Sequence, residues 1–472
     1  MIGQVRCLTF QLDKELIAIS DFLYSHILIL LLIAAGVFFT IRTRFVQITM
    51  FPEAIRSVTE KSHDKKVSSF QALMISTASR VGTGNIAGIA VAIVLGGPGS
   101  VFWMWVMAVI GSASAFAEST LAQVYKIKDG KNYLGGPAYY IERALKKRWL
   151  GVIFAVFLIA CMVYGLNVVQ SYNISSSLEW YIPNYKQTIY PYLVGIILAI
   201  LTAIVIFGGV HRIGFVSSYI VPAMALFYMI LGIYMIVANI EKVPQMFKSI
   251  FDSAFDFKSI FGGFAGSAML IGIKRGLFSN EAGMGSAPNA AATADVSHPV
   301  KQGLVQIVSV CIDTLIICTT SAFIILLSGV DINGGLNGIP LVQAAIESQV
   351  GSIGMHFITI SILMFAFTSI IGNYCYAESN ILFIKNSKVV LNIFRCTCLI
   401  AVFLGTQATL DIVWNLADIL MAFMAIVNIF AMFALSKVVS VTLKDYIAQK
   451  KSGKDPKFCP KELGIKDTEA WD

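Results

Sequence analysis

Two polar, glycine-rich stretches, residues 80–88 and 275–288, carry the side chains that could do chemistry in this otherwise apolar sequence. Each opens with an arginine, Arg80 or Arg275, and each has the sequence Asn-x-Ala-Gly starting five residues later. Glycine destabilises a helix, and lipid cannot satisfy the backbone groups that a helix break exposes. Such stretches persist at membrane depth only where protein encloses them. Because an offset of 195 residues relates the two, they predict broken helices in matching halves of a transporter.

Broken helices offer two kinds of ligand at once. Free carbonyl oxygens at the break can bind a cation, and the free N–H groups of a half-helix favour a carboxylate. A zwitterionic amino acid bound together with Na⁺ fits both. The alternative is that the glycines only let helices pack closely, as small residues do in membranes. The break residues predicted to bind substrate are Thr83, Gly84, Asn85, Phe278, Ser279, Asn280 and Gly283, and those predicted to bind Na⁺ are Gly82 and Asn85.

The side chains at the breaks also predict the size of the substrate. Gly82, Thr83, Gly84 and Ser279 are small or short, and Phe278 is suited to close the pocket as a lid. We therefore expect a cavity that fits alanine, glycine and serine, and in which leucine or phenylalanine clashes.

The composition indicates a membrane protein. Of the 472 residues, 57% are hydrophobic and 13% are charged, whereas a soluble chain carries roughly 25% charged residues. The net charge of +8 does not indicate a nucleic-acid partner, because the basic residues cluster in short loops between apolar segments. The eight cysteines are scattered without metal-ligand spacing, so no metal or other cofactor is expected. The first 21 residues lack the basic start of a cleaved signal peptide.

Apolar segments predict an all-α membrane protein with eleven transmembrane helices. The predicted spans are residues 22–41, 68–95, 100–125, 149–175, 190–208, 213–238, 259–292, 301–328, 350–375, 388–404 and 410–436. The predicted units are an extra N-terminal helix with its loop (1–67), a first five-helix repeat (68–238), an extracellular interfacial helix (239–258), a second five-helix repeat (259–436) and a basic cytoplasmic tail (437–472). A short surface helix is expected within the loop 126–148, at residues 137–145.

The distribution of basic residues predicts the orientation. If the N-terminus is outside, the cytoplasmic loops and tail hold 24 Lys and Arg, and the outside segments hold six. The chain is therefore expected to have its N-terminus outside and its C-terminus in the cytoplasm. Because each repeat has an odd number of spans, the two repeats enter the membrane in opposite directions, which makes the repeat inverted.

Several polar residues inside the predicted spans need a partner or an aqueous cavity. Gln170 is a candidate to reach the substrate from the side, the alternative being a hydrogen bond between helices. The charged residues Arg80, Glu118, Arg275 and Glu281 are candidates for gate or supporting ion pairs, with a purely structural pairing as the alternative. The sequence contains no P-loop, HExxH or GxSxG motif, so neither an ATPase nor a membrane hydrolase is supported.

Four motifs resemble those of a known family. Residues 276–291, GLFSNEAGMGSAPNAA, are similar to the signature of the alanine or glycine:cation symporters. Residues 79–88, 96–105 and 133–140 are similar to other conserved blocks of that family, and the likeness extends from about residue 68 to 440. The resemblance implies a leucine-transporter-type fold and Na⁺-coupled symport of small neutral amino acids such as alanine and glycine into the cell.

The resemblance also implies a place for the ion. In such a fold, adjacent hydroxyl groups in the third helix of the second repeat help to bind Na⁺ together with carbonyl groups of the first break. Thr368 and Ser369 stand at that place in this sequence. The alternative is that these hydroxyls bond back to their own helix. The expected protein is a monomer in the cell membrane, and the alternatives left open are H⁺ coupling, another small amino acid as substrate, or a sensor or channel with the same fold.

Overall fold

The structure is a computed structural model, and it describes residues 15–60, 67–130, 132–208, 210–256 and 267–471, apart from the side chains of 210–218. The helices are α1 (Ile29–Arg42), α2 (Val46–Thr49), α3 (Phe51–Val58), α4 (Ser69–Arg80), α5 (Ala87–Gly96), α6 (Ser100–Val124), α7 (Pro137–Leu145), α8 (Arg148–Ala160), α9 (Asn167–Ser176), α10 (Tyr190–Ile206), α11 (Val210–Ala238), α12 (Val243–Ala254), α13 (Ala268–Asn280), α14 (Ala287–Thr293), α15 (Pro299–Val310), α16 (Thr319–Ser328), α17 (Ile339–Val350), α18 (Ser352–Ile384), α19 (Lys388–Gly405), α20 (Leu410–Ala434) and α21 (Ser436–Lys451).

Wide π-helical turns join two pairs of these helices. Cys161–Leu166 joins α8 to α9, and Cys311–Cys318 joins α15 to α16, so that each pair forms one continuous span. A third π-helical turn, Tyr24–Leu28, precedes α1. A short antiparallel hairpin of β1 (Ile127–Asp129) and β2 (Asn132–Leu134) leads into α7, and the helix predicted at residues 137–145 is confirmed.

The chain is an all-α membrane protein. Within the described residues, eight helices are long and apolar enough to cross a bilayer, and the pair α4 and α5, bent by 60°, makes nine. α10 is a shorter apolar helix of 17 residues, and part of the predicted span 259–292 lies outside the described residues. The predicted count of eleven and the predicted domain boundaries therefore stay predictions.

Helix α6 lies at the centre of one group of helices. It packs against α13, α14 and α15 and also against α1. Small residues on its second half, Ala113, Ala115 and Ala117, are fully buried and allow this close packing. Helix α18 has the corresponding place in a second group, where it contacts α4, α8, α9, α11 and α17. Each group thus contains one broken helix, and the two helices touch, since α13 packs against α5 and α14 packs against α4. Both breaks are buried in the protein interior.

The end of the bundle that carries α21, called here the tail side, is closed by polar contacts around His298. This residue precedes α15, is fully buried, and its Nδ1 accepts a hydrogen bond from the Val300 N–H. Its Nε2 lies 3.1 Å from Asp445 Oδ2 on α21. Burial lowers the pKa of the His298 imidazole, although the Asp445 carboxylate opposes this shift.

This lowered pKa predicts a loss of stability in mild acid. The unfolded chain takes up a proton near pH 6.5, whereas folded His298 resists protonation, so stability is complete above that pH and falls below it. Between pH 7.5 and 5.5 we expect His298 to account for a loss on the order of 1 kcal/mol, measured by thermal unfolding in detergent. His298→Gln should lose less stability over this interval than the parent. His356→Gln, at an exposed histidine, is the control, and an equal pH dependence in all three proteins would contradict the prediction.

Candidate substrate and ion site

The first break lies between α4 and α5, where irregular backbone was predicted at residues 82–85. Gly82 is extended (φ −136°, ψ −156°), and Thr83–Asn85 form a single 3₁₀ turn, so this prediction is confirmed. The Asn85 side chain closes the turn, because its Oδ1 accepts a hydrogen bond from the Gly82 N–H at 3.0 Å. A Cβ at Gly82 would lie 2.3 Å from Ser369 Oγ, so only glycine lets the backbone approach α18 this closely.

The second break begins later than predicted. The sequence placed irregular backbone at residues 277–282, but α13 continues through Asn280. Left-handed backbone begins at Glu281 (φ +52°) and recurs at Gly283 (φ +81°) and Gly285 (φ +90°), and α14 starts at Ala287. The prediction is thus wrong for 277–280, because those residues keep helical geometry and the helix-breaking glycines lie beyond them. The Asn280 side chain helps to turn the chain, since its Oδ1 accepts a hydrogen bond from the Ala282 N–H.

The first break and the last turn of α13, which precedes the second break, meet at a buried carboxylate, Asp313. Asn85 Nδ2 from the first break donates to Asp313 Oδ1 at 2.6 Å and to Ser279 Oγ at 3.0 Å. The Ser279 hydroxyl, at the end of α13, donates to Asp313 Oδ2, as does the Thr314 hydroxyl. All of these residues are fully buried. In the described part of the chain, no Lys, Arg or His nitrogen lies within 4.0 Å of this carboxylate, so an amide group and two hydroxyls hold it without an ion pair.

Asp313 is the site residue that the sequence analysis missed. It is the single charged residue in the apolar run 308–328, and the rule applied to Glu118 and Glu281 would also have selected it. Its position in space was not readable, because it lies in the π-helical turn Cys311–Cys318, and such turns recur at functional sites.

Gln170 and Asn173 on α9 hold the first break from the other side. Gln170 Oε1 accepts hydrogen bonds from the Thr83 N–H at 3.1 Å and the Thr83 hydroxyl at 2.8 Å. Asn173 Nδ2 donates to the same hydroxyl at 2.7 Å. The structure therefore brings Gln170 to the break, and its contact with a substrate stays a prediction.

Ser369 and Thr368 differ in what their hydroxyl groups face. Ser369 Oγ lies 3.4 Å from the Val81 carbonyl oxygen at the first break and 3.0 Å from Phe365 O. Within the described residues, the Thr368 hydroxyl bonds to its own helix alone, at Met364 O and Phe365 O. Both hydroxyls thus bond back to their own helix, and Ser369 in addition lies beside Val81 O, which gives a second group of oxygen atoms beside the break.

The predicted intramembrane acids support the second break and link it to α4. Glu118 accepts hydrogen bonds from the Gly283 N–H at 3.2 Å and from Asn428 Nδ2 at 2.7 Å, and the same Asn428 nitrogen donates to Gly283 O at 2.9 Å. Glu281 accepts hydrogen bonds from the hydroxyls of Ser286 and Ser79, the second of which lies on α4. Gly283 is therefore held by Glu118, and no contact places it at the Asp313 carboxylate.

The two matched arginines have different surroundings. Arg275 forms an ion pair with Asp418 of α20, and Lys274 Nζ lies 3.3 Å from the same carboxylate. Arg80 donates to Gln306 Oε1 at 3.2 Å and has no carboxylate oxygen within 4.0 Å in the described residues. Arg275 thus takes part in a buried ion pair, whereas Arg80 is held by a neutral amide.

Phe278 lies against the first break, and its role as a lid over a substrate stays a prediction. A Cβ at Gly84 would lie 2.6 Å from the Phe278 ring, and that ring packs on Trp414 with 4.5 Å between centroids. The Arg275 guanidinium lies over the Trp414 ring at 4.5 Å. Phe278 is 5% exposed and Trp414 is 4% exposed, so an aromatic and charged layer closes the site on the side opposite the tail.

The oxygen atoms around Asp313 predict a dependence on cations. Asp313→Asn keeps the shape but removes the negative charge, so we expect the Na⁺ concentration that half-maximally stabilises the protein to rise at least about tenfold. Thermal unfolding of the purified protein over a Na⁺ titration measures this concentration. Asp331→Asn, in an exposed loop, is the matched control. An unchanged Na⁺ titration in Asp313→Asn would contradict the assignment of a cation to this carboxylate.

Comparison with known proteins agrees with this architecture. The model of the sodium:alanine symporter family matches residues 10–460. The probable sodium/glutamine symporter GlnT of Bacillus subtilis is 48% identical over 95% of this chain and 94% of its own length. The sodium/alanine symporter AgcS of Methanococcus maripaludis is 37% identical over 89% of this chain and 94% of its own length.

The fold has solved counterparts. The crystal structure of MhsT in complex with L-phenylalanine superposes with a TM-score of 0.59 at 14% identity, and covers 86% of this chain and 96% of that one. This likeness shows the fold alone, and it confirms the predicted leucine-transporter-type class. The resemblance noted in the sequence is confirmed as well: the chain belongs to the sodium:alanine symporter family, whose members are transporters and not enzymes.

Proposed function

We propose that this transporter is a Na⁺-coupled symporter that carries small neutral amino acids into the cell by alternating access. The observation that supports this most directly is the meeting of the first break with the last turn of α13 around Asn85, Ser279 and Asp313. The Asp313 carboxylate and the Ser279 and Thr314 hydroxyls bring oxygen atoms together there, and no Lys, Arg or His nitrogen of the described residues lies within 4.0 Å of the carboxylate. Hard cations prefer such oxygen ligands.

Two groups of oxygen atoms are the proposed cation sites. The first is formed by the Asp313 carboxylate with the Ser279 and Thr314 hydroxyls, and the second by Ser369 Oγ and the Val81 carbonyl. Each group contains oxygen atoms from a broken helix and from a neighbouring helix. A cation in either group therefore favours the closed arrangement of those helices, and by linkage a substrate that needs the same arrangement binds more tightly.

The proposed substrate is small. The Phe278 ring lies against Gly84 and the Ser369 hydroxyl lies against Gly82, so side chains crowd both sides of the first break. Alanine, glycine and serine are the substrates that this crowding favours. Glutamine is the second candidate, because the relative GlnT is named as a probable sodium/glutamine symporter.

The proposed orientation has the N-terminus outside and the C-terminus in the cytoplasm, in a multi-pass protein of the cell membrane that acts as a monomer.

One positive charge that moves inward across 100 mV gains about 2.3 kcal/mol, enough for roughly fifty-fold accumulation before the Na⁺ gradient contributes. No cofactor is needed for such a cycle, because the ion gradient supplies the free energy.

Uptake by proteoliposomes tests the proposal. With Na⁺ outside, we expect labelled alanine or glycine to accumulate above its outside concentration, and replacement of Na⁺ by K⁺ or Li⁺ in turn to reduce this uptake. Unlabelled serine should compete, whereas leucine and phenylalanine should not. Accumulation driven by a pH gradient without Na⁺ would favour H⁺ coupling. Competition by glutamine equal to that of alanine would contradict the small pocket, and binding without accumulation would favour a sensor.

The second group of oxygen atoms predicts unequal effects of two neighbouring hydroxyls. Ser369→Ala removes the oxygen that faces Val81 O, so we expect the Na⁺ concentration for half-maximal uptake to rise several-fold. Thr368→Val removes a hydroxyl that bonds within its own helix, so a smaller rise is expected. Alanine affinity should weaken mainly at limiting Na⁺. Protein abundance on immunoblots is the control for folding, and a normal Na⁺ dependence in both variants would place the ion elsewhere.

A further inference from the structure

The chain beyond α21 folds back over the tail side of the bundle. Residues 452–471, called here the C-terminal strap, first bind the segment before α15. Asp455 pairs with Lys301 at 2.9 Å, Ser297 Oγ donates to Pro456 O, and the Phe458 N–H donates to Ser297 O at 3.0 Å. The Phe458 ring packs on the His298 ring. The strap is therefore fixed to the beginning of α15 by both backbone and side chains.

The strap then crosses to α7. Lys146 pairs with Asp467 at 2.7 Å, and Arg143 pairs with Glu469 at 2.5 Å. Helix α7 in turn packs against α8 and α20, so these ion pairs attach the strap to the group of helices around α18 and α20. Both pairs are partly exposed, and such pairs weaken with added salt.

The tip of the strap reaches the tail-side ends of both broken helices. Trp471 packs in a separate small apolar cluster with Val67 and Ala72 at the start of α4, and with Ala294 and Val296 after α14. Its Nε1 donates to Gln123 O at the end of α6. The first and second broken helices are also joined there directly, since the Asp295 N–H donates to Val67 O at 2.9 Å.

The half-helix α14 depends on the residues that Trp471 covers. Gln123 Nε2 donates to the carbonyls of Ala291 and Ala294 at the end of α14, and Lys126 Nζ also donates to Ala294 O at 2.9 Å. The Lys126 ammonium lies 4.8 Å from the Trp471 ring centroid. Trp471 therefore covers the contacts that hold α14 against α6, on the path by which the site would open to the tail side.

We propose that the C-terminal strap acts as a latch, which means that it keeps the tail side of the site closed. Trp471 is the residue through which it does so. The strap joins the start of α4 and the end of α14 to α7, and these elements must separate when the half-helices move apart. Release of Trp471 shifts the protein towards the conformer that is open on the tail side. The inference rests on the proposed alternating-access cycle, but its test needs neither substrate nor ion coupling.

The test uses a cysteine at Ser76, a fully buried residue on α4 that accepts a hydrogen bond from Gln306. In full-length protein with the exposed Cys396 and Cys459 replaced by serine, the rate of Ser76→Cys labelling by a polar maleimide reports opening from the tail side. Trp471→Ala should raise this rate about tenfold, because the indole loses both apolar burial and a hydrogen bond. Trp149→Ala, at a tryptophan that is 61% exposed, should leave it unchanged.

A charge exchange separates a latch from general loss of folding. Glu469→Arg alone should raise the labelling rate about twofold to fivefold, as expected for a partly exposed ion pair, and Glu469→Arg with Arg143→Glu should restore the parent rate. An unchanged rate in Trp471→Ala, or a double variant that labels as fast as the single one, would overturn the proposal. Faster labelling in Trp471→Ala, combined with a parent protein that accumulates no amino acid, would support the latch and contradict the proposed function.

Discussion

A helix break inside a bilayer exposes peptide groups that lipid cannot satisfy, and the architecture of this protein depends on meeting that demand. At the first break the Gly82 N–H donates to Asn85, and the Thr83 N–H donates to Gln170. At the second break Glu118 accepts from the Gly283 N–H, while Asn428 binds the carbonyl of the same residue. Gln170, Glu118 and Asn428 in neighbouring spans are therefore required by the breaks, because they bond to the peptide groups that the breaks release.

The same demand divides the polar residues between support and function. Glu118, Asn428 and Asn280 each bond to a backbone group of the second break, so they fix its path. Asp313 and Ser369 instead present oxygen atoms beside the first break and the last turn of α13. Removal of a supporting group leaves a buried peptide group unsatisfied, which destabilises the fold. Under the proposed function, removal of an oxygen of Asp313 or Ser369 would change ion affinity more than folding.

The sequence predicted the features that leave a periodic or compositional mark. Paired Asn-x-Ala-Gly motifs indicated where the two helices break, and the residues around them included Asn85 and Ser279 as candidates for the site. The position of the second break was wrong by four residues, because helix geometry through Asn280 depends on tertiary packing that no local pattern records. Asp313 was missed for a related reason: its carboxylate reaches Asn85 only through a π-helical turn. Contacts between the tail and residues far away in the sequence, such as that of Trp471 with Gln123 at the end of α6, leave no periodic pattern in the sequence.

The π-helical turn Cys311–Cys318 has a consequence for how this segment can vary among related chains. A π turn holds one residue more than an α-helical turn, so loss of a single residue here would leave a regular helix without a break. The turns on either side would keep their register, because a π turn absorbs its extra residue locally. Thr319 would still accept the Trp105 indole N–H at 2.8 Å, and Ser321 would still lie beside the hydroxyl of Tyr228. What would change is the turn itself, which brings the Asp313 carboxylate to Asn85. A related chain that is one residue shorter here can therefore keep its interhelical contacts and yet lose the position that this carboxylate has.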